Sequence, residues 1–163
     1  MARVDELPKL SSKELLTLHA KIAGELRERG ITRTANNPTG DLAEYRFCTA
    51  FGWARAGNSH PNVHAIGTDR LRFQIKARRM TKNRSRQLGA IRSLDGEHFD
   101  FLAGVLFDET YGFLRAALIP HATVKLRATY VAHTNSHKFM LHDDVWLAEG
   151  VRDVTPELAA IMI

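Results

Sequence analysis

The stretch Leu71-Arg72-Phe73-Gln74-Ile75-Lys76-Ala77 reads as a β-strand. Side chains alternate across a strand, so Gln74 and Lys76 share one face while Phe73, Ile75 and Ala77 share the other. A glutamine and a lysine together on a strand otherwise built for burial are costly unless their face lines a polar cleft. Upstream, Glu44 stands mid-helix in Gly40-Asp41-Leu42-Ala43-Glu44-Tyr45, among residues patterned for burial. A carboxylate, an amide oxygen and an ammonium form the set that phosphodiester hydrolysis asks for. The oxygens suit a hard divalent cation, and the positive charge suits the nonbridging phosphate oxygens.

The strand also opens the most basic part of the chain. Between Arg70 and Arg92 lie Arg70, Arg72, Lys76, Arg78, Arg79, Lys82, Arg84, Arg86 and Arg92, nine cations with no Asp or Glu among them. The net charge is +5, so the remainder of the chain carries −4. A concentrated basic segment on a mildly acidic body marks a surface for a polyanion. Arg78, Arg79, Lys82, Arg84 and Arg86 are the residues placed to hold backbone phosphates beside the Gln74/Lys76 face.

Several elements must position these groups. Ser11 and Glu14 form a capping box ahead of Leu15, Leu18, Ile22 and Leu26 at helical spacing, which predicts a helix over 11–29 ended near Gly30. A second helix is predicted from Thr39 to Phe51, closed by Gly52, with Leu42, Phe47, Cys48 and Phe51 on its buried side. Val63–Ile66 and Leu71–Ala77 are short strands joined by Gly67-Thr68-Asp69-Arg70, a β-hairpin that sets His64 across from Gln74. Phe99–Phe107 and Phe113–Ile119 are further strands. Pro120–Ala128 has the look of a short helix, Lys138–Leu141 of a last strand, and Thr155-Pro156-Glu157 of a helix start. The order predicts one α/β domain over 1–163, with helix 11–29 packed on a core spanning 39–163.

The helix around Glu44, the hairpin and the Gln74-Ile75-Lys76 strand together resemble the PD-(D/E)XK, or restriction-endonuclease-like, nuclease superfamily. The resemblance covers roughly 39–107 and implies a mixed central β-sheet flanked by helices. It also implies a metal-dependent DNA endonuclease that uses Mg²⁺ or Mn²⁺, acts on double-stranded DNA and works as a homodimer. By resemblance Glu44 and Gln74 hold the metal, with Asp69 as a further candidate ligand. Lys76 orients the attacking water and stabilises charge at the phosphate. The family places an acid on the first hairpin strand where this chain has His64, so His64 becomes a candidate site residue and Glu44 the lone carboxylate. That departure supports a second reading, a nuclease-like module that binds DNA or protein without catalysis.

Composition bounds the remaining possibilities. At 163 residues with 44% hydrophobic and 25% charged residues, the chain suits one globular domain rather than a coiled coil or a disordered tract. No apolar run approaches a membrane span, and the opening residues lack the apolar stretch of a signal peptide, so a cytoplasmic protein is expected. The single cysteine, Cys48, rules out an internal disulfide and reads as a small core residue. His133 and His137 have zinc-like spacing but lack a third ligand. Trp53 and Trp146 read as core or interface residues. The apolar end Leu158–Ile163 is a candidate buried or interface helix.

Overall fold

The computed structural model describes residues 4–57 and 60–163. Helix α1 spans Ser12–Glu28 and α2 spans Pro38–Phe51. They are followed by strands β1 (Ala54–Arg55), β2 (Ala65–Ile66), β3 (Arg72–Arg79), β4 (Gln87–Ile91), β5 (Phe101–Phe107) and β6 (Phe113–Pro120). Helix α3 (His121–Arg127), strands β7 (Thr129–Val131), β8 (Ser136–Met140) and β9 (Arg152–Asp153), and helix α4 (Thr155–Ala159) complete the described chain. Six strands form the central sheet in the order β1-β2-β3-β5-β6-β9, while β4, β8 and β7 form a second sheet.

The central sheet is mixed: β3 and β5 run parallel, and every other pair in it is antiparallel. A parallel pair needs a crossover, and here the chain returns through β4 and a 3-10 turn at Leu94–Gly96. Strand β5 is buried along nearly its whole length, the pattern of a strand covered on both faces. Ala103, Val105 and Phe107 pack with Phe73 and Ile75 against Leu42, Ala43 and Phe47 of α2 and Leu158 of α4. Leu102 and Leu106 point the other way, into a core shared with Leu88, Ile91, Phe139 and Leu141 of the second sheet and Val124 of α3. The fold is therefore α/β, as expected. Helices lie on both faces, α2 and α4 on one and the short α3 on the other, where a small antiparallel sheet takes up much of the remaining surface. Gly104 sits where the layers meet: a Cβ there would come within 2.9 Å of Leu88 Cδ1 and 3.2 Å of Leu141 Cδ2.

Helix α2 begins one residue before the expected Thr39, since Pro38 is tolerated at a first helical position and the Asn37 side chain accepts from Thr39 N–H. It ends at Gly52, whose left-handed φ of 65° lets the chain turn into Trp53. The Trp53 ring stacks on Phe73 with centroids 3.6 Å apart, flanked by Phe47 and Phe51, which fastens α2 to β3. Trp146 belongs to the opposite core. Its indole N–H donates to Ala116 O at 3.2 Å, and the Arg115 guanidinium lies 3.8 Å from its ring centroid. Arg46, almost fully buried, ties α2 to the chain end by donating to Leu158 O at 3.0 Å and Ile161 O at 2.9 Å. Beyond that staple Met162 and Ile163 are exposed, so the apolar end is buried only at Leu158.

Helix α1 forms with its full capping box: Ser11 N–H donates to Glu14 Oε2 at 2.8 Å and Glu14 N–H to Ser11 Oγ at 3.3 Å. Among the described residues it buries none of its own side chains fully: Leu18 and Leu26 are half-buried, while Leu15, Leu16 and Ile22 are exposed. No described helix is long and apolar enough to cross a membrane.

Candidate functional site

Strands β2 and β3 pair with Ala65 opposite Phe73 and Ile66 opposite Arg72, so His64 lies beyond the last pair, across from Gln74. His64 N–H donates to Phe73 O at 2.9 Å. Its ring then continues the pairing in place of backbone. Nδ1 lies 3.0 Å from Ile75 N, from which it can accept, and 2.8 Å from Ile75 O, to which the other tautomer donates. The same nitrogen is 3.9 Å from Glu44 Oε1. Burial pushes the His64 pKa down to about 4, and the nearby charges of Lys76 and Arg33 push the same way. At neutral pH His64 is thus an uncharged ring wedged beside β3.

Glu44 reaches this ring from α2, and its side chain is only 12% exposed. Arg33 Nη2 donates to Glu44 Oε2 at 2.5 Å. Burial raises the Glu44 carboxyl above the usual range even though Arg33 and Arg55 pull it down. Arg33 is itself fixed by its backbone, because Asp41 Oδ2 accepts from Arg33 N–H and Thr34 N–H, each at 2.9 Å. Asp41 therefore fastens the loop that delivers Arg33. Sequence reasoning missed this clamp, since nothing in the spacing of Arg33 and Glu44 signals it.

Gln74 and Lys76 share the face of β3 that looks toward the second sheet, as alternation required. With Pro61, Asn62, Ala90 and Arg92 they line a cleft of about 280 Å³. Gln74 is 1% exposed, and its Oε1 accepts no hydrogen bond among the described residues. Burial and the charge of Arg92 both lower the Lys76 pKa. Arg92, counted only as part of the basic segment, thus joins the site from the end of β4. Glu44 packs with α2 on the other side of β3, and the His64 ring stands at the strand edge near both Glu44 and Lys76.

Asp69 stays in the hairpin turn, exposed, with Oδ1 accepting from Leu71 N–H at 3.1 Å. Among the described residues no three His, Cys, Asp or Glu side chains gather as a metal-binding group, so neither Asp69 nor the His133/His137 pair completes one. Magnesium and manganese favour hard oxygen ligands, commonly more than one carboxylate. Here the lone carboxylate is engaged by Arg33 and faces an imidazole, while two cations stand beside the free amide oxygen. As they stand, these side chains offer a divalent cation a single carboxylate, already held by Arg33.

The basic segment divides by partner. Arg72 pairs with Asp100 through Nη2 at 2.9 Å and Nε at 3.1 Å. Arg86 Nη1 donates to Asp143 Oδ1 at 2.7 Å. Arg79 donates to Glu109 O at 3.3 Å and lies over the Tyr111 ring. Lys82 and Arg84 are exposed in the tight turn that follows β3. Arg78 and Arg79 line a second cleft of about 340 Å³ with Asn37, Thr39, Ala77 and Thr81, where the end of β3 meets the start of α2. Set against protein-family models and curated proteins, the sequence matches none.

Proposed function

We propose that this protein is a nuclease-like domain that binds double-stranded DNA through its backbone phosphates and does so without a metal ion. The observation that carries this reading is the cleft of Gln74, Lys76, Asn62 and Arg92, which presents two cations and no carboxylate among its described lining residues. Crowding Lys76 against Arg92 in a partly buried place costs free energy that an entering anion offsets. A phosphate brings that charge, and the amide groups of Asn62 and Gln74 can orient it. Lys82 and Arg84, exposed on the following turn, extend the positive surface along a strand of DNA.

The test is fluorescence anisotropy of a labelled duplex titrated with protein in Mg²⁺ and in chelator. Equal affinity in both is expected, with a loss of about tenfold or more in Lys76→Ala/Arg92→Ala. Binding that vanishes in chelator, or that ignores the double substitution, defeats the reading.

The second reading is metal-dependent hydrolysis of the phosphodiester, with Glu44, His64, Gln74 and Lys76 as the site. One observation favours it: the Glu44 carboxyl remains raised by burial despite its arginines, so a further cation would stabilise it. Incubation of supercoiled plasmid with Mg²⁺, Mn²⁺ or chelator separates the two. Metal-dependent nicking that disappears in Lys76→Ala establishes hydrolysis; binding without nicking in either metal leaves the first reading standing.

A further inference from the structure

Most of a helix's stability in a protein comes from packing its apolar face, yet among the described residues α1 buries none of its side chains fully. Its N-terminus is held by the capping box and its last turn by the Glu25–Arg29 pair at 2.7 Å. At its end Leu26 O accepts from Ile31 N–H, and Ile31 is the residue that packs on the core. The helix is therefore anchored at one end, and among the described residues none of its side chains is fully buried. Leu15 is 39% exposed, Leu16 70% and Ile22 51%.

Leu15, Leu18, Ile22 and Leu26, at spacings of three, four and four residues, form a narrow apolar stripe on one face of the helix. Lys21 and Glu25 both border the same edge of that stripe, lining a shallow groove with Ile22, Leu26 and Arg29. The opposite edge carries His19 and Ala23. When two such helices pair antiparallel, like edges face each other. Centred on Ile22, the pairing sets Leu18 against Leu26 and Lys21 against Glu25 of the other helix, and symmetry repeats each contact. A parallel pair would set the Lys21/Glu25 edge against the His19/Ala23 edge, which offers no complementary charge.

We infer that α1 is a homodimerisation helix that pairs antiparallel with α1 of a second copy of this chain. The surface is self-complementary in both apolar stripe and charge, as a two-fold interface requires. This inference stands apart from DNA binding, because neither cleft borders α1.

Sedimentation of the full chain over a concentration series tests it. A dimer is expected for the native sequence, with dissociation raised at least about tenfold by Ile22→Ser. That position is exposed within one chain, so the monomer keeps its fold, which the circular dichroism spectrum verifies. Lys21→Glu alone weakens the dimer, and Lys21→Glu/Glu25→Lys restores it. Oxidation of Ile22→Cys gives a cross-linked dimer, whereas Leu15→Cys gives none, because antiparallel helices hold the two copies of Leu15 far apart. A native chain that stays monomeric throughout, a charge exchange that fails to restore pairing, or efficient cross-linking through Leu15→Cys overturns the inference.

Discussion

His64 takes up the hydrogen-bonding groups of Ile75 that another β2 residue would otherwise meet, and it does so in a place that penalises the charged ring. In the folded state it stays neutral until about pH 4, whereas the unfolded chain takes up that proton near pH 6.5. Above 6.5 both states are neutral and His64 contributes no pH dependence. Between 6.5 and 4 the unfolded chain binds more protons, so stability falls with falling pH, by about 3 kcal/mol in all. Urea denaturation of His64→Asn across that interval should show a flatter profile than the native protein; an unchanged slope would assign the acid sensitivity elsewhere. Gln74 makes an opposite point about the same strand. Its buried Oε1 lacks a partner, an arrangement that costs about 1–3 kcal/mol. Gln74→Leu, of similar volume, should leave stability equal or higher while weakening DNA binding. Equal loss of both would mean that Gln74 is structural. Gln74 and Lys76 were legible because a two-residue period needs only the strand itself. Arg33 on Glu44 and Arg92 beside Lys76 were hidden because loops and a second sheet bring them there.

Among the elements, β5 decides how tightly the second sheet can lie on the first. Gly104 opposes Lys76 in the β3 register and Ala117 in the β6 register. A methyl group at Gly104 would press on Leu88 and Leu141, both fully buried and without room to yield. Gly104→Ala should therefore cost roughly 1–3 kcal/mol by overpacking. It should also weaken DNA binding, because Arg92 reaches the cleft from the end of β4, the strand that carries Leu88. Thermal unfolding and the duplex titration together measure this. Loss of stability with binding intact would show that the two sheets adjust independently. The elements themselves were largely readable, with the hairpin, β5, β6, α2 and the Thr155 helix start found within a few residues. Of the sheet β4-β8-β7 only β8 was readable, as Lys138–Leu141; β4 was not, because Gln87–Ile91 follows a run of arginines and contains Gly89 and Ala90, residues with little strand preference. Nor could periodicity show that α1 buries none of its side chains fully, since an apolar stripe looks the same whichever molecule covers it.

At the scale of the whole molecule, the nine cations of the central segment do not act as one. Arg72 and Arg86 are committed to Asp100 and Asp143, which lie 28 and 57 residues away in sequence. That separation is why charge counting alone overstates the DNA-binding surface. Replacing Arg78, Lys82 and Arg84 together by Ala should lower the slope of log affinity against log salt by roughly 2–3. Arg86→Ala should leave that slope unchanged and barely alter stability, as loss of an exposed surface pair does. Equal effects of the two variants would return Arg86 to the phosphate grip. The stacked Trp53 and the arginine-covered Trp146 have a further use here. They are the chain's two tryptophans, and each lies against a different one of the two cores. Each face of the central sheet thus carries its own fluorophore. Single-tryptophan variants, unfolded side by side, can report whether the α2 face and the second-sheet face come apart in one cooperative step or in two.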